Sequence, residues 1–148
     1  MTITPMTIAD YNDVYALWIG TPGMGLNSLD DSQEGIARFL ARNPSTCFTA
    51  REGERLAGVI LSGHDGRRGF IYHTAVDPAF RNRGIGRSLV EAAVSALKAE
   101  GIAKAALVVF RHNTSGNGFW EKLGFQARED LVYRNKAITS QELKRIDT

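Results

Sequence analysis

Apolar and polar residues follow two different spacings along the chain, and together they predict a domain of mixed α/β structure. Apolar positions three and four residues apart give helical faces after Asp10, after Asp31 and from Ile85 to Glu100. Short runs rich in β-branched and aromatic residues, typical of strands, lie between them. The predicted strands cover residues 3–8, 46–51, 56–62, 70–76, 105–110 and 127–136.

Turn residues indicate how these elements are joined. Glu52-Gly53-Glu54 predicts a hairpin, and residues 63–69 predict a second turn. Antiparallel strands followed by a helix and a further strand imply a mixed, mostly antiparallel sheet flanked by helices. Residues 111–118 are expected to form a polar loop before a short helix, and residues 139–146 at most a short polar helix.

The most informative stretch lies between the strand 70–76 and the helix that begins at Ile85. Asp77-Pro78 ends the strand, because proline has no N–H for the ladder. Gly84 and Gly86 let a ligand approach the backbone closely, and the first N–H groups of a helix attract anions. This pattern predicts a pyrophosphate cradle at the helix N-terminus. The residues of the cradle are Arg81, Asn82, Arg83, Gly84, Ile85, Gly86, Arg87 and Ser88.

The spacing of the glycines indicates which class of phosphate-containing ligand such a cradle binds. A Walker-type loop is absent, and the third glycine of a dinucleotide fingerprint is replaced by Leu89. The remaining pattern is Arg81-Asn82-Arg83-Gly84-Ile85-Gly86 after a strand, and here the chain resembles the GNAT family of N-acetyltransferases. A solvated basic turn that caps a helix is the alternative.

A second stretch supports the same resemblance. Asn113 follows the strand-like run 105–110, and Phe119-Trp120-Glu121-Lys122-Leu123-Gly124-Phe125 comes next. The family has an Asn at the end of its fifth strand and then a Phe/Leu-Tyr-Glu-Lys-x-Gly-Phe run. This chain matches the spacing, with Gly116 as the small residue after the Asn and Trp120 in place of the usual Tyr.

The resemblance implies a GNAT-type fold in which the family's strands four and five, here 70–76 and 105–110, are splayed apart. The pantetheine arm of acetyl-CoA is expected to bind in that gap, along the backbone of Thr74, Ala75 and Val76. The N–H of Val76 is then expected to polarise the thioester carbonyl. Asn113, Phe119, Trp120 and Lys122 are expected to contact the donor.

Trp120 has a mechanistic consequence, since the family often uses that Tyr as the acid for the leaving thiolate. An indole N–H does not titrate usefully. Tyr72 is the first candidate to replace it, because strict alternation puts Phe70, Tyr72, Thr74 and Val76 on one strand face. The same alternation turns His73 the opposite way, which favours a structural role for His73.

Composition limits the remaining possibilities. A chain of 148 residues with 43% hydrophobic residues fits one globular domain, residues 1–148. One cysteine, Cys47, excludes an internal disulfide and predicts the cytoplasm; we interpret it as core packing. Three scattered histidines predict no metal site.

The net charge of +2 is too small for a general nucleic-acid surface, and no apolar run is long enough to cross a membrane. The expected activity is acetyl transfer from acetyl-CoA to a primary amine by direct attack, and the acceptor is not readable. An inactive acyl-CoA-binding regulatory module is the alternative, and a nucleotide or nucleic-acid module is a third reading. An incomplete sheet edge after Phe125 predicts a homodimer.

Overall fold

The computed structural model describes all 148 residues, and five of its strands form one sheet. In chain order these strands are β1 (Thr2–Pro5), β3 (Phe48–Glu52), β4 (Arg55–His64), β5 (Gly69–Val76) and β6 (Ala105–Ala106). They lie side by side in that order, antiparallel except for the parallel pair β5 and β6. A small second sheet pairs β2 (Leu26–Asn27) with β7 (Arg145–Ile146).

Four α-helices flank the sheet: α1 (Tyr11–Ile19), α2 (Gln33–Arg42), α3 (Ile85–Ala99) and α4 (Thr114–Lys122). Ser32 caps α2, since its hydroxyl accepts the Gly35 N–H at 3.0 Å. Gly101 follows α3 with a φ of 82°, a left-handed conformation that glycine adopts without strain. None of the helices combines the length and the apolar character needed to cross a bilayer.

The core has one layer on each face of β4, which is why this strand is a nearly continuous apolar run. Val59 and Leu61 pack with α1 and α2 around the fully buried Trp18. Ile60 points to the other face and packs with Leu89 and the rest of the inner side of α3. The sheet is therefore held between α1 and α2 on one face and α3 on the other.

A β-bulge interrupts the pairing of β4 with β5. Val59 pairs with Ala75 and Leu61 with Tyr72, so Ile60 alone lies opposite two residues, His73 and Thr74. His73 takes a φ of +38°, which is uncommon for a residue with a side chain. The bulge reverses the alternation of side chains within β5, so Tyr72 faces α2 whereas Val76 packs against the α3 layer. The predicted common face for Tyr72 and Val76 is therefore wrong.

The structure differs from the sequence predictions most after Gly101. The strand predicted at 105–110 is a ladder of two residue pairs, and 127–136 forms no strand because its backbone makes no hydrogen bond to another backbone group. The predicted loop 111–118 is wrong from Thr114 onward, where α4 begins with Asn113 as its cap. The polar tail is not helical either, since Arg145–Ile146 pairs with β2 instead.

Candidate functional site

The turn before α3 presents a row of unpaired backbone donors. Asn82 and Gly84 are both left-handed, with φ of 62° and 77°, and the helix begins directly after them. The N–H groups from Asn82 to Arg87 donate no hydrogen bond within the chain, whereas the next one, of Ser88, donates to the Gly84 carbonyl at 3.0 Å. Consecutive free N–H groups at a helix N-terminus form a site for an anion.

The two glycines of this turn serve different purposes. Gly84 faces open space, so its positive φ is what requires glycine there. Gly86 has an ordinary helical backbone, but a Cβ would come within 3.2 Å of the Phe119 ring and 3.6 Å of Val76. Gly86 therefore brings the start of α3 against α4 and the end of β5.

The three arginines around the turn make weak, exposed polar contacts, and the Arg83 guanidinium also lies 5.3 Å from the centroid of the Phe80 ring. Arg83 lies 3.6 Å from Glu52, and Arg87 lies 3.2 Å from Glu91, one helical turn further on. Arg81 Nε donates to the Val76 carbonyl at 3.4 Å. Exposed ion pairs of this kind contribute little to stability, so these side chains can turn toward an anion at small cost.

Ile85 and Ser88 contribute less than the sequence suggested. The Ile85 side chain is buried in the α3 layer of the core, so only its N–H is available to a ligand. The Ser88 N–H is already used by the Gly84 carbonyl, which leaves its hydroxyl.

The end of β5 offers a further backbone donor. The parallel ladder with β6 stops at Phe70 and Ala106, so the rest of β5 has no partner strand on that side. The Asp77 N–H donates to the Ala57 carbonyl of β4 at 2.8 Å. Because alternate residues of an antiparallel strand face the partner, the Val76 N–H points to the unpaired side. By the same alternation the backbone N–H and carbonyl of the buried Ala75 point toward β4 and away from the unpaired side. Thr74 lies in the bulge.

Residues of α4 form the opposite wall. Phe119 and Trp120 are packed edge to face with ring centroids 5.0 Å apart, and Trp120 meets Phe125 in the same way at 5.2 Å. The Asn113 carboxamide oxygen accepts the Gly116 N–H at 3.0 Å and so caps α4, which leaves its NH₂ group free of hydrogen bonds. Lys122 lies in the last turn of α4, where a cation is favourable.

Tyr72 lies on the face of the sheet that carries α1 and α2, with 42% of its surface exposed. Its ring contacts Phe39 edge to face at 5.7 Å and lies 4.7 Å from Phe70. Partial burial, and then the nearby Tyr133 and Asp30, raise the pKa of its hydroxyl above the usual 10. The hydroxyl therefore stays protonated at neutral pH and can donate a proton or a hydrogen bond.

The predicted orientation of His73 is wrong. The bulge turns its ring toward the same layer as Tyr72, where it lies 5.0 Å from the Trp18 ring. His73 Nε2 is 2.7 Å from a carboxylate oxygen of Asp31, a residue that is 3% exposed. Sequence reasoning missed this pair because the β-bulge that creates it leaves no signal in the pattern of apolar residues.

Two other kinds of site can be checked in the structure, a reactive cysteine and a metal site. Cys47 is buried, its thiol donates to the Ser62 carbonyl at 3.2 Å, and burial raises its pKa to about 12, so it is a core residue as predicted. No group of three or more His, Cys, Asp or Glu side chains is placed to hold a metal ion.

Comparison with known proteins shows which family and which solved structures the chain is similar to. Residues 11–125 match the family model described as the acetyltransferase (GNAT) family. The PaiA N-acetyltransferase of Thermoplasma acidophilum, solved with coenzyme A, superposes with a TM-score of 0.73 at 20% identity, over 86% of this chain and 91% of its own. An aminoglycoside 6'-N-acetyltransferase of Acinetobacter haemolyticus gives 0.72 at 21% identity, over 94% and 100%. A predicted acetyltransferase of Clostridium acetobutylicum, solved with acetyl-CoA, gives 0.70 at 18% identity, over 90% and 95%.

Proposed function

The chain belongs to the acetyltransferase (GNAT) family, and on this premise we propose that it transfers an acetyl group from acetyl-CoA to a primary amine. The observation that carries the proposal is the row of unpaired N–H groups from Asn82 to Arg87. A pyrophosphate matches these donors in charge and in hydrogen-bonding character. Arg81, Arg83 and Arg87 supply the charged forks that phosphate oxygens prefer.

The unpaired side of β5 suits the pantetheine arm, which carries amide groups able to pair with a strand edge. Thr74 and Val76 lie along this edge, and the free NH₂ of Asn113 lies across from it in our assignment. The Val76 N–H would hold the thioester oxygen as negative charge develops there. One preorganised donor of this kind typically contributes about 3–4 kcal/mol to the transition state.

Tyr72 is assigned as the acid that protonates the leaving thiolate. Its raised pKa keeps a proton on the hydroxyl at neutral pH, which the role requires. We assign Trp120 no part in proton transfer; its ring packs beside the donor, because its neighbour Phe119 lies against Gly86.

The test is an acceptor screen with acetyl-CoA, in which free thiol and acetylated amine are both measured. We expect thiol release that depends on the amine and matches the amide formed. The Gly86→Glu variant is the control, since it should lose the donor site. Donor hydrolysis at the same rate with and without any amine would instead favour the regulatory alternative.

Two expectations from the sequence accompany this proposal. We propose a cytoplasmic location from the single cysteine, and a homodimer that covers the unpaired edge of the sheet. Both concern the location and the oligomeric state of the protein and not the reaction, so the acceptor screen does not depend on them.

A further inference from the structure

We infer that His73, oriented by Asp31, is the base that takes the proton of the acceptor amine. The inference rests on the proposed acetyl transfer and adds the group that the assignment still lacks. The raised pKa of Tyr72 keeps its hydroxyl protonated near neutral pH, so Tyr72 can donate or relay a proton but cannot be the base that first deprotonates the amine.

The hydrogen bonds around the ring fix which nitrogen is available. Nε2 lies 2.7 Å from Oδ1 of Asp31, and the other carboxylate oxygen accepts the Asn27 N–H at 2.8 Å. A carboxylate can only accept, so Nε2 carries the proton and donates. The lone pair is then on Nδ1, which has no hydrogen-bond partner in the chain. This arrangement resembles the carboxylate-oriented imidazoles of hydrolytic enzymes, in which the second nitrogen acts as the base.

The ring is held rigidly at the bulge. The buried indole of Trp18 donates to the His73 carbonyl at 3.2 Å, and its ring meets the imidazole edge to face. Asp31 is fixed in turn, because the Tyr11 hydroxyl donates to its carbonyl at 2.7 Å. The φ of +38° at His73 is a strained conformation maintained by these contacts, and such strain is concentrated at functional sites.

The position suits the chemistry. His73 is three residues before Val76 on the same strand, and 14% of its side chain is exposed, beside the half-open Tyr72. The titratable groups around it are Asp31, Tyr72 and, through Asp31, Tyr11. Burial raises the pKa of both tyrosines, so neither changes charge near neutral pH.

The proton balance of the step is complete without another reactant. The ammonium form of the acceptor gives one proton to His73 Nδ1, and the nitrogen lone pair forms the C–N bond as the C–S bond breaks. The second proton of the nitrogen goes to the thiolate by way of Tyr72. Amide, free thiol and imidazolium result, and the imidazolium then loses its proton to solvent.

The experiment compares His73→Asn with wild type over a range of pH, with the best amine of the screen. Asn is chosen because it tolerates positive φ, and His64→Asn is the matched control, a histidine bonded to Glu100 away from the site. We expect His73→Asn to lower kcat/KM at neutral pH on the order of 100- to 10,000-fold. We also expect it to lose an ionisation that the wild-type profile contains, while the Kd for acetyl-CoA stays unchanged. Asp31→Asn should give a smaller loss with the same retained affinity.

The possible results distinguish the role of His73 from the proposed acetyl transfer. A His73→Asn profile that keeps the wild-type shape and rate would overturn the inference and leave the acetyl transfer intact. Wild-type protein that acetylates no amine would instead contradict the proposed function. If His73→Asn lost both acetyl-CoA binding and cooperative thermal unfolding, that variant would be misfolded and Asp31→Asn would be the test instead. An unchanged kcat in Asp31→Asn would also overturn the inference.

Discussion

Gly86→Glu is the sharpest perturbation of the proposed donor site, since it places bulk and negative charge at the pyrophosphate cradle. A Cβ at this position would lie 3.2 Å from the Phe119 ring. That is a few tenths of an ångström closer than an ordinary carbon–carbon contact of about 3.5–4.0 Å. Phe119 is only partly buried, so the ring can move and the helix is expected to persist.

The stability of the fold should change little. Replacing glycine inside a helix gains up to about 1 kcal/mol in propensity, which offsets the contact with Phe119. A carboxylate in the first turn of α3 also interacts favourably with the helix dipole, by about 0.3–1 kcal/mol. The melting temperature is therefore expected to stay within a few degrees of wild type.

The affinity for acetyl-CoA should change far more than the stability of the fold. A carboxylate about 6 Å from one phosphate charge costs about 0.7 kcal/mol in water and about 3 kcal/mol at an effective dielectric of about 20. With about 1.4 kcal/mol per tenfold change in Kd, and two phosphate charges, we expect acetyl-CoA to bind at least roughly 10-fold more weakly. Added salt should reduce this loss, because it screens exposed charges.

The assay is a binding titration with wild type, Gly86→Glu and the matched variant Gly86→Gln, which has the same size without the charge. The difference between the two variants measures the electrostatic part. If Gly86→Glu bound acetyl-CoA as tightly as wild type, the pyrophosphate would not bind at this turn and the cradle would be misassigned.

Three further predictions concern other parts of the molecule. Trp120→Tyr should preserve or raise turnover, since a phenol returns a titratable donor and keeps the aromatic contact with Phe125; a large loss of kcat would show that the indole has a specific packing role. Cys47 should not react with a thiol reagent at pH 8 until the protein unfolds, because burial raises its pKa to about 12; rapid labelling of the folded protein would be the contrary result. Light scattering should give a dimer mass, because Leu131, Val132 and Tyr133 are 61%, 75% and 67% exposed on a segment without a partner strand; a monomer mass would count against it.

The parts of the site that consecutive residues determine could be predicted from the sequence. The turn with unpaired N–H groups before α3 is one such part, because Asp77-Pro78, the two glycines and the start of α3 fix its geometry within about ten residues. The hairpin at Gly53 is predicted for the same reason, and the structure has it. The mixed sheet also follows from the order of the elements.

The parts that depend on distant pairing could not be predicted. The His73–Asp31 contact joins residues 42 positions apart and exists only because of the bulge opposite Ile60. The pairing of β7 with β2 is two residues long, which is too short to leave a periodic pattern. The prediction of a strand at 127–136 is wrong for a related reason. Alternation of side chains does not provide hydrogen-bond partners for the backbone of that segment.

Whether acetyl-CoA binds at all is best measured by calorimetric titration of the wild-type protein, with ATP and NAD as controls. We expect one site with a Kd in the micromolar range for acetyl-CoA, no comparable binding of ATP or NAD, and at least roughly 10-fold weaker binding of acetyl-CoA in Gly86→Glu. Absence of acetyl-CoA binding, or equal binding of all three nucleotides, would contradict the assignment of the cradle and with it the proposed acetyl transfer.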